Sequence, residues 1–423
     1  MFYFIISFIL WLIILCISKP KNAGFIILVL MQLISIGFAP LVANKILFDS
    51  TLTLFNTIFI FINSFFIIYP WHKCKNQDVI IKDKVFFRFY KKALYTILWI
   101  SIFANLFDIY VVFTHIPDIA SFKAKMEFTE LYNIVPGFSI LFRMSSVLRY
   151  FGYLAIPISI YYLGINNIKE AKRAALLSTS TLLGAIAFYS RAQILNYALL
   201  WIVLFYFYSP TLPNPVFNKV SSLVKKASLV LGGIFLVITI LRFSSDTMWY
   251  YGDRIPKESV VKNVILYNIT DYTSKGFPNG INQLEKHSID DILYGKQIYH
   301  DGVMLLSYFG IISTTTDDLS NDYKLSYRKS GLNEGNDEGT FHGHTCRMVK
   351  NFGYLLTFIL DLWFFLYVRT VSSRSKISIW KMTVLCFLMI ESLGQIFYMQ
   401  YGIVLYPLIF YITLRFIYKF KTI

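Results

Sequence analysis

Charged residues are scarce in this 423-residue chain: Asp, Glu, Lys and Arg make up only 15% of it, against roughly a quarter in an average soluble protein. Hydrophobic residues make up 56% and aromatic residues 18%. One soluble core cannot hide so much apolar surface. The composition excludes disordered and collagen-like chains, and it favours a protein whose solvent is lipid.

Cysteines are also few, and none lies close to another. No C-x-x-C spacing occurs among the four cysteines, which are Cys16, Cys74, Cys346 and Cys386. This argues against a thiolate metal site and against a disulfide framework. The sequence contains no Walker loop and no G-x-G-x-x-G, G-x-S-x-G or H-E-x-x-H motif. We therefore expect no metal and no cofactor, and ATP-driven transport lacks support.

Long apolar runs recur along the whole chain. A bilayer core about 30 Å thick takes about 20 apolar residues as a helix, and hydrocarbon offers no partner for free backbone N–H and C=O groups. We therefore predict an all-α, polytopic integral membrane helix bundle of about 11 transmembrane helices. The predicted spans are residues 2–17, 24–41, 52–69, 93–114, 150–164, 175–189, 194–208, 228–241, 352–368, 382–397 and 403–414.

Basic residues indicate which side of the membrane each loop occupies, because Lys and Arg stay cytoplasmic during insertion. Alternate loops hold 22 basic residues against three acidic ones, Asp78, Asp83 and Glu170, so this face is expected to be cytoplasmic. We place the N-terminus outside and the C-terminus inside. The net charge of +16 is then topological, and no nucleic-acid partner needs to be invoked.

Two outer segments are too long to be simple turns. The first, at about 116–149, contains residues 122–132, whose apolar positions recur at helical spacing and predict a helix on the membrane surface. The second, 242–351, is predicted to be a large, partly helical outer loop. The chain is thus divided into a first bundle of about eight spans (1–241), this loop, and a last bundle of about three spans (352–423).

Arginines at the outer ends of predicted spans are the first candidate functional residues. Arg191 begins one span and Arg242 ends another. A guanidinium suits bidentate contact with phosphate oxygens, so a group of them at one depth would form a diphosphate site. Each can instead reach the interface or pair with a nearby acid. The predicted diphosphate-binding residues are Arg191, Arg242, Arg347, Arg143, Arg149 and Lys350.

Histidines are concentrated on the predicted outer side, where five of the six lie. His342 and His344 precede a span close to Arg347, and histidine can act as a general base near neutral pH. The alternative is two solvent-exposed loop histidines; a metal half-site lacks further ligands at a suitable spacing. The predicted catalytic residues are His344, His342 and Arg191.

Three acidic residues, Asp108, Asp361 and Glu391, fall within predicted spans. Charges are rare inside a membrane, and those that occur are often functional. These three are either functional or bridge helices through hydrogen bonds.

The layout resembles the bacterial Wzy-type O-antigen polymerases. Three features carry the resemblance: a Phe-, Ile- and Tyr-rich chain with about a dozen spans, the step Ser190-Arg191 at an outer helix end, and one large outer loop late in the chain. That loop ends in the stretch from Gly339 to Tyr354, which is similar to the threonine-containing stretch of the family and its aromatic–glycine step into the next span. Eleven spans with an outside N-terminus depart from the even-numbered layout of that family.

The resemblance implies a membrane glycosyltransferase of the bacterial inner membrane with its active site facing the periplasm. It would polymerise undecaprenyl-diphosphate-linked oligosaccharide repeat units into O-antigen or capsular polysaccharide. Arg191, Arg242 and then Arg347 would stabilise the leaving diphosphate, and His344 or His342 would accept a proton. The expected partners are the lipid-linked donor and acceptor, membrane lipid and a chain-length regulator protein, without nucleic acid or cofactor.

Two further functions fit the same pattern. An O-antigen ligase shares the lipid-diphosphate donor and an outer loop with His and Arg, but it transfers finished glycan to a lipid A core. A lipid-linked oligosaccharide flippase, or another secondary transporter, predicts charges along a path through the spans and usually internal repeats. Here the charges are concentrated at the outer ends and in one outer loop.

Overall fold

A computed structural model gives a mostly helical chain, as the apolar runs predict. The structure describes residues 2–18, 22–42, 54–74, 77–115, 135, 137–187, 189–208, 212, 214–242, 255–274, 284–285, 292, 294–295, 306, 311, 344–393 and 402–421. Residues 122–132, where a surface helix is predicted, lie outside this part of the chain.

The described residues contain thirteen α-helices. They are α1 (Phe2–Ser18), α2 (Ala23–Phe38), α3 (Leu54–Ile68), α4 (Lys84–His115), α5 (Phe138–Leu148), α6 (Gly152–Gly164), α7 (Ile168–Ala187), α8 (Arg191–Tyr208), α9 (Asn214–Arg242), α10 (Val264–Ser274), α11 (His344–Ser372), α12 (Ile379–Leu393) and α13 (Gly402–Lys421). Three 3₁₀ turns lie at Ala39–Val42, Tyr69–Lys73 and Arg149–Phe151. One exception to the all-α prediction is a parallel pair of three-residue strands, β1 (Asp78–Ile80) and β2 (Lys376–Ser378).

Each of the eleven predicted spans overlaps a helix, but fewer helices are long and apolar enough to cross a membrane. Five such segments occur in the described residues: Ala23–Val42, Leu54–Lys73, Lys84–His115, Asn214–Ile238 and Met348–Ser372. Several others are short; α6, for example, has only 13 residues. The predicted class is confirmed as far as a mostly helical chain with several helices long enough to span a membrane. The number of 11 spans is not confirmed.

One compact unit comprises Met1–Lys75, Ser245–Arg374 and Leu388–Met399. In it α1 packs on α2, α3 packs on α11, and α10 packs on α2. The indole N–H of Trp71, a fully buried side chain, donates to Ser392 Oγ at 2.9 Å. The unit thus has an interior of its own, built from helices that are distant in the sequence.

Helix α11 of this unit is kinked at Gly353, which has φ 75° and ψ 173°. This backbone conformation is essentially restricted to glycine. The kink separates the stretch from His344 to Phe352 from the long apolar part of the helix. Just beyond the kink, the hydroxyl of Tyr354 donates to Asn56 Oδ1 at 3.0 Å and so fixes α11 to α3.

The second compact unit comprises Asn76–Ser244, Ser375–Phe387 and Gln400–Ile423. Its longest helix is α4, which has 32 residues and is therefore about 48 Å long. Helix α7 packs along both α4 and α6. At the predicted cytoplasmic end of α4, Asp83 pairs with Arg415 at 3.1 Å, and Lys91 pairs with Glu170 at 2.8 Å. These pairs tie α13 and α7 to α4.

The chain stays helical from Phe138 to Gly164, through α5, the 3₁₀ turn and α6. Helix α5 runs antiparallel to α4, because Phe138 packs in a cluster with Val112 while Ser145, two turns later, bonds to Asp108. The helical segment therefore begins well before the predicted fifth span at 150–164. Residues 138–148, which the sequence assigns to an outer loop, pack along α4 instead.

Candidate functional site

Five helices of the second unit meet in an apolar cluster at one end, which the sequence predicts to be the outer end. We call it the apolar end cluster. Its buried members are Val111, Val112, Phe138, Ala185, Tyr189, Ile194 and Ile238. Arg191 lies three residues before Ile194, and Arg242 lies four residues after Ile238. Because a helix rises 1.5 Å per residue, the backbone of Arg191 lies about 4.5 Å from that of Ile194 along α8, and the backbone of Arg242 lies about 6 Å from that of Ile238 along α9. Both arginines are at helix ends.

A tight turn between α7 and α8 gives Arg191 this position. Tyr189 has a positive φ of 48°. Its N–H donates to the carbonyl of Ile186 at 3.0 Å, and the N–H of Ser190 donates to the carbonyl of Ala185 at 2.8 Å. These bonds close the end of α7 in the manner of a left-handed helix cap. The prediction that Arg191 begins a helix at the step Ser190-Arg191 is confirmed for the backbone.

One to two turns from the apolar end cluster, towards the middle of the helices, lies a group of buried polar side chains. Asn105 and Asp108 of α4, Ser145 of α5 and Ser180 of α7 are all 0% exposed. Together with Arg149 we call them the polar cluster. Such groups are costly among apolar helices and mark a functional site by default.

Hydrogen bonds join the members of the polar cluster across three helices. Ser145 Oγ donates a short hydrogen bond to Asp108 Oδ2. The side-chain amide of Asn105 donates to the carbonyls of Ser101 at 2.7 Å and Ser180 at 3.3 Å. The cluster therefore links α4 to α5 through Asp108 and α4 to α7 through Asn105.

Arg149, at the 3₁₀ turn between α5 and α6, is the half-buried member of the cluster. Its carbonyl accepts a hydrogen bond from Thr181 Oγ1 at 2.5 Å. Its Nη2 donates to the hydroxyl of Tyr150 at 3.1 Å, and its guanidinium carbon lies 5.0 Å from the centre of that ring. Its charge also interacts with the carboxyl of Asp108. Tyr150 thus contacts the guanidinium through both its hydroxyl and its ring, and Thr181 holds the backbone of Arg149.

Gly184 of α7 allows Arg149 to lie beside Asn105. A Cβ atom at Gly184 would come within 2.8 Å of Arg149 Cδ and 2.9 Å of Asn105 Oδ1. Contacts under 3 Å require a neighbour to move. Any larger residue at position 184 would therefore displace the arginine or the amide.

The remaining predicted site residues lie elsewhere. Arg143 is exposed on α5. His344, Arg347 and Lys350 lie in α11 of the first unit, where Lys350 is buried with 5% exposure. The side chains of Arg191, Arg242, Arg347 and His344, and the whole of His342, lie outside the described part of the structure. Of the other predicted acids, Asp361 is 1% exposed in α11.

Sequence reasoning identified Arg149 and Asp108 separately but missed the residues that bring them together, which are Asn105, Ser145 and Gly184. A weak signal was present. Asn105 and Asp108 are three residues apart in an apolar run, so they share one face of a helix. A single polar residue there is unremarkable, whereas a pair on one face predicts a buried partner.

The comparisons with known proteins leave the site to be interpreted from its own chemistry. The chain matches no protein-family model, curated protein or solved structure. Among the described residues, no three His, Cys, Asp or Glu side chains are grouped as metal ligands. A guanidinium that stacks on a tyrosine ring beside buried polar side chains is suited to binding an anion.

Proposed function

We propose that this protein is a membrane glycosyltransferase that polymerises undecaprenyl-diphosphate-linked oligosaccharide repeat units into O-antigen or capsular polysaccharide. The observation that carries the proposal is Arg149 beside the buried polar side chains, in the unit in which Arg191 begins α8 and Arg242 ends α9. Several arginines in one helical unit suit a ligand with several phosphate oxygens. In our proposal the helix ends at Arg191 and Arg242 face the periplasm of the bacterial inner membrane.

The reaction needs stabilisation of a leaving group more than it needs a cofactor. A sugar hydroxyl of one lipid-linked unit attacks the anomeric carbon of a second unit, and the bond from that carbon to the diphosphate oxygen breaks. Negative charge then develops on the departing undecaprenyl diphosphate. A fixed guanidinium in a site of low dielectric stabilises such charge much better than water does. We assign this role to Arg149, Arg191 and Arg242.

The proton of the attacking hydroxyl needs an acceptor. The sequence predicts His344 or His342 for this role, because an imidazole is the side chain best suited to it near neutral pH. Replacing each histidine singly tests the assignment in a purified assay with lipid-linked units. Full turnover in both variants would place the base elsewhere.

A second candidate function is a lipid-linked oligosaccharide flippase. The observation that favours it is the complete burial of Asp108 and Asn105 well inside α4. Polar groups inside helical bundles often mark a transport path. We prefer the glycosyltransferase, because Arg191 begins α8 and Arg242 ends α9, so both lie at helix ends.

The decisive experiment replaces Arg149 and Arg191 singly by Ala in cells that need this protein for polymer. We expect loss of polymer with normal membrane insertion. In a purified assay, turnover should fall by at least about a hundredfold, as it does when one donor that stabilises the developing charge is lost. Arg88→Ala is the control, since Arg88 is exposed near the other end of α4. Wild-type chain lengths in both variants would refute the proposal.

Two further assays, one in cells and one in vesicles, distinguish the alternative functions. Intact polymer that is no longer attached to a lipid A core would indicate a ligase. Movement of labelled lipid-linked units into vesicles, without a new glycosidic bond, would indicate a flippase.

A further inference from the structure

The first turns of α4 and α7 lie side by side at the predicted cytoplasmic end of the second unit. Lys91 pairs with Glu170, and further along the same two helices the side-chain amide of Asn105 donates to the carbonyl of Ser180. The helices therefore run in the same direction. Both enter the unit from its cytoplasmic end, and the surface where they meet there is formed by their basic first turns.

Arg173 of α7 presents its guanidinium on this surface. The guanidinium carbon lies 5.2 Å from the centre of the Tyr95 ring of α4, and Nη1 lies 3.9 Å from Oε1 of Glu170. The second distance is too long for a hydrogen bond. In the described part of the chain no residue accepts a hydrogen bond from this guanidinium, and the side chain is 52% exposed. Its planar set of donors is thus placed by an aromatic ring and open to a ligand.

Two exposed lysines flank Arg173. Lys169 lies one turn before it on α7, and Lys92 lies one turn before Tyr95, whose ring the guanidinium covers. Residues three or four apart on a helix are neighbours on its surface. The three cations are therefore grouped around one point, where the two helices meet.

The acids that α7 and the start of α4 could offer to these cations are already paired. Glu170 is the only acid of α7, and the ammonium of Lys91 lies 2.8 Å from its Oε2. Asp83, just before α4, pairs with Arg415. The three cations thus keep their charge for an anionic ligand.

The exposed surface becomes apolar one turn beyond the cations. Trp99 follows Tyr95 by one turn on α4 and is 37% exposed, and Leu176 follows Arg173 on α7 and is 52% exposed. Phe103, a further turn along α4, is 67% exposed. A tryptophan between basic and apolar residues is typical of the boundary between lipid head groups and hydrocarbon. The three cations therefore lie at the level of lipid phosphates.

We propose that Lys92, Lys169 and Arg173 form a binding site for the phosphate of an anionic phospholipid of the cytoplasmic leaflet. The guanidinium donates to two oxygens of that phosphate, and the two lysines add positive charge. The acyl chains lie along Trp99 and Leu176. A lipid bound here joins α4 to α7 at their first turns. The inference does not depend on the proposed function, whose polar cluster lies further along both helices.

The test measures the Kd of short-chain phosphatidylglycerol for the full-length protein in a neutral detergent. Arg173→Gln should raise the Kd about tenfold, because it removes a charge together with a bidentate contact. Arg173→Lys keeps the charge but loses the planar fork, so its Kd should lie between these two. Lys92→Gln and Lys169→Gln should each raise the Kd about fivefold, the effect expected for one cation near an anionic lipid.

Lys172→Gln is the matched control on the same helix. Lys172 is exposed and follows Glu170, which faces α4, by two residues. Since a helix turns about 100° per residue, Lys172 lies on nearly the opposite side of α7. Its loss removes the same charge but should change the Kd less than twofold. Equal Tm values of all variants without added lipid show that the fold is intact.

Three outcomes would overturn the inference. The first is a wild-type Kd for Arg173→Gln, and the second is an equal loss of affinity in Lys172→Gln. The third is equally tight binding of phosphatidylcholine, which carries the same phosphate with a compensating cation. If inorganic phosphate at the same concentration displaces phosphatidylglycerol, the site takes free phosphate and the assignment to a lipid is wrong.

Discussion

Replacing Gly184 by Ala adds a single methyl group to the most crowded point of the polar cluster. That methyl would lie 2.8 Å from Arg149 Cδ, 2.9 Å from Asn105 Oδ1 and 3.1 Å from Arg149 Cβ. The Cβ contact lies next to the backbone, so the clash cannot be relieved by rotating the end of a flexible side chain alone. Overpacking of this kind costs about 1–3 kcal/mol.

We expect Gly184→Ala to lower activity more than stability, because the added methyl must displace the stem of Arg149, whose guanidinium we assign to the diphosphate, or the amide of Asn105 beside it. The assay combines the Tm of the purified protein in detergent with turnover of lipid-linked units. Gly232→Ala and Gly233→Ala are matched controls, since a Cβ atom at either position of α9 meets nothing within 4 Å. If Gly184→Ala matches these controls in both Tm and turnover, the placement of Arg149 beside Gly184 is wrong.

Three further predictions concern the packing of the second unit. A backbone N–H at the start of α4 and the guanidinium of Arg415 hold the pKa of Asp83 below its ordinary value. These two contacts stabilise the folded protein above the ordinary pKa of an aspartate, and the stabilisation is lost as the pH falls through the lowered pKa of Asp83. Asp83→Asn should therefore flatten the acid side of a plot of Tm against pH. A double-mutant cycle with Lys91→Met and Glu170→Gln should give a coupling of about 1 kcal/mol; a value of zero would contradict the pairing of α4 with α7. Gly152→Ala would bring a methyl within 2.7 Å of a backbone carbonyl of α7. It should lower the free energy of unfolding by about 1–3 kcal/mol and therefore also lower the Tm.

The helices were predictable from the sequence because their signal is local. An apolar run such as 93–114 already contains enough information to identify the core of α4, although the helix extends to Lys84–His115. Its ends were less predictable, since the charged first turns of α4 and α7 remain helical outside any apolar run. Hydropathy measures contact with lipid, whereas helix boundaries depend on backbone hydrogen bonds and caps.

The site was only partly predictable because it is formed by contacts between segments. Asp108 and Arg149 were each candidates, but their proximity depends on α5 running antiparallel along α4. The sequence gives no such pairing, since the apolar pattern of α5 is interrupted by Arg143, Ser145 and Ser146. Those residues predict an exposed outer segment, and the burial of Ser145 becomes intelligible only with the carboxylate that accepts its hydrogen bond.

The short pairing of β1 with β2 can form only late in the synthesis of the protein. Asp78 lies opposite Lys376, and the N–H of Asp78 donates to the carbonyl of Ser375 at 2.8 Å. A ribosome must therefore translate nearly 300 further residues before the partner of β1 exists. Until then its backbone groups stay open to other partners, as at any unpaired strand edge. Chains truncated before Ser375 would keep that edge permanently, so about the last ninth of the polypeptide is needed to complete a pairing that begins near residue 78.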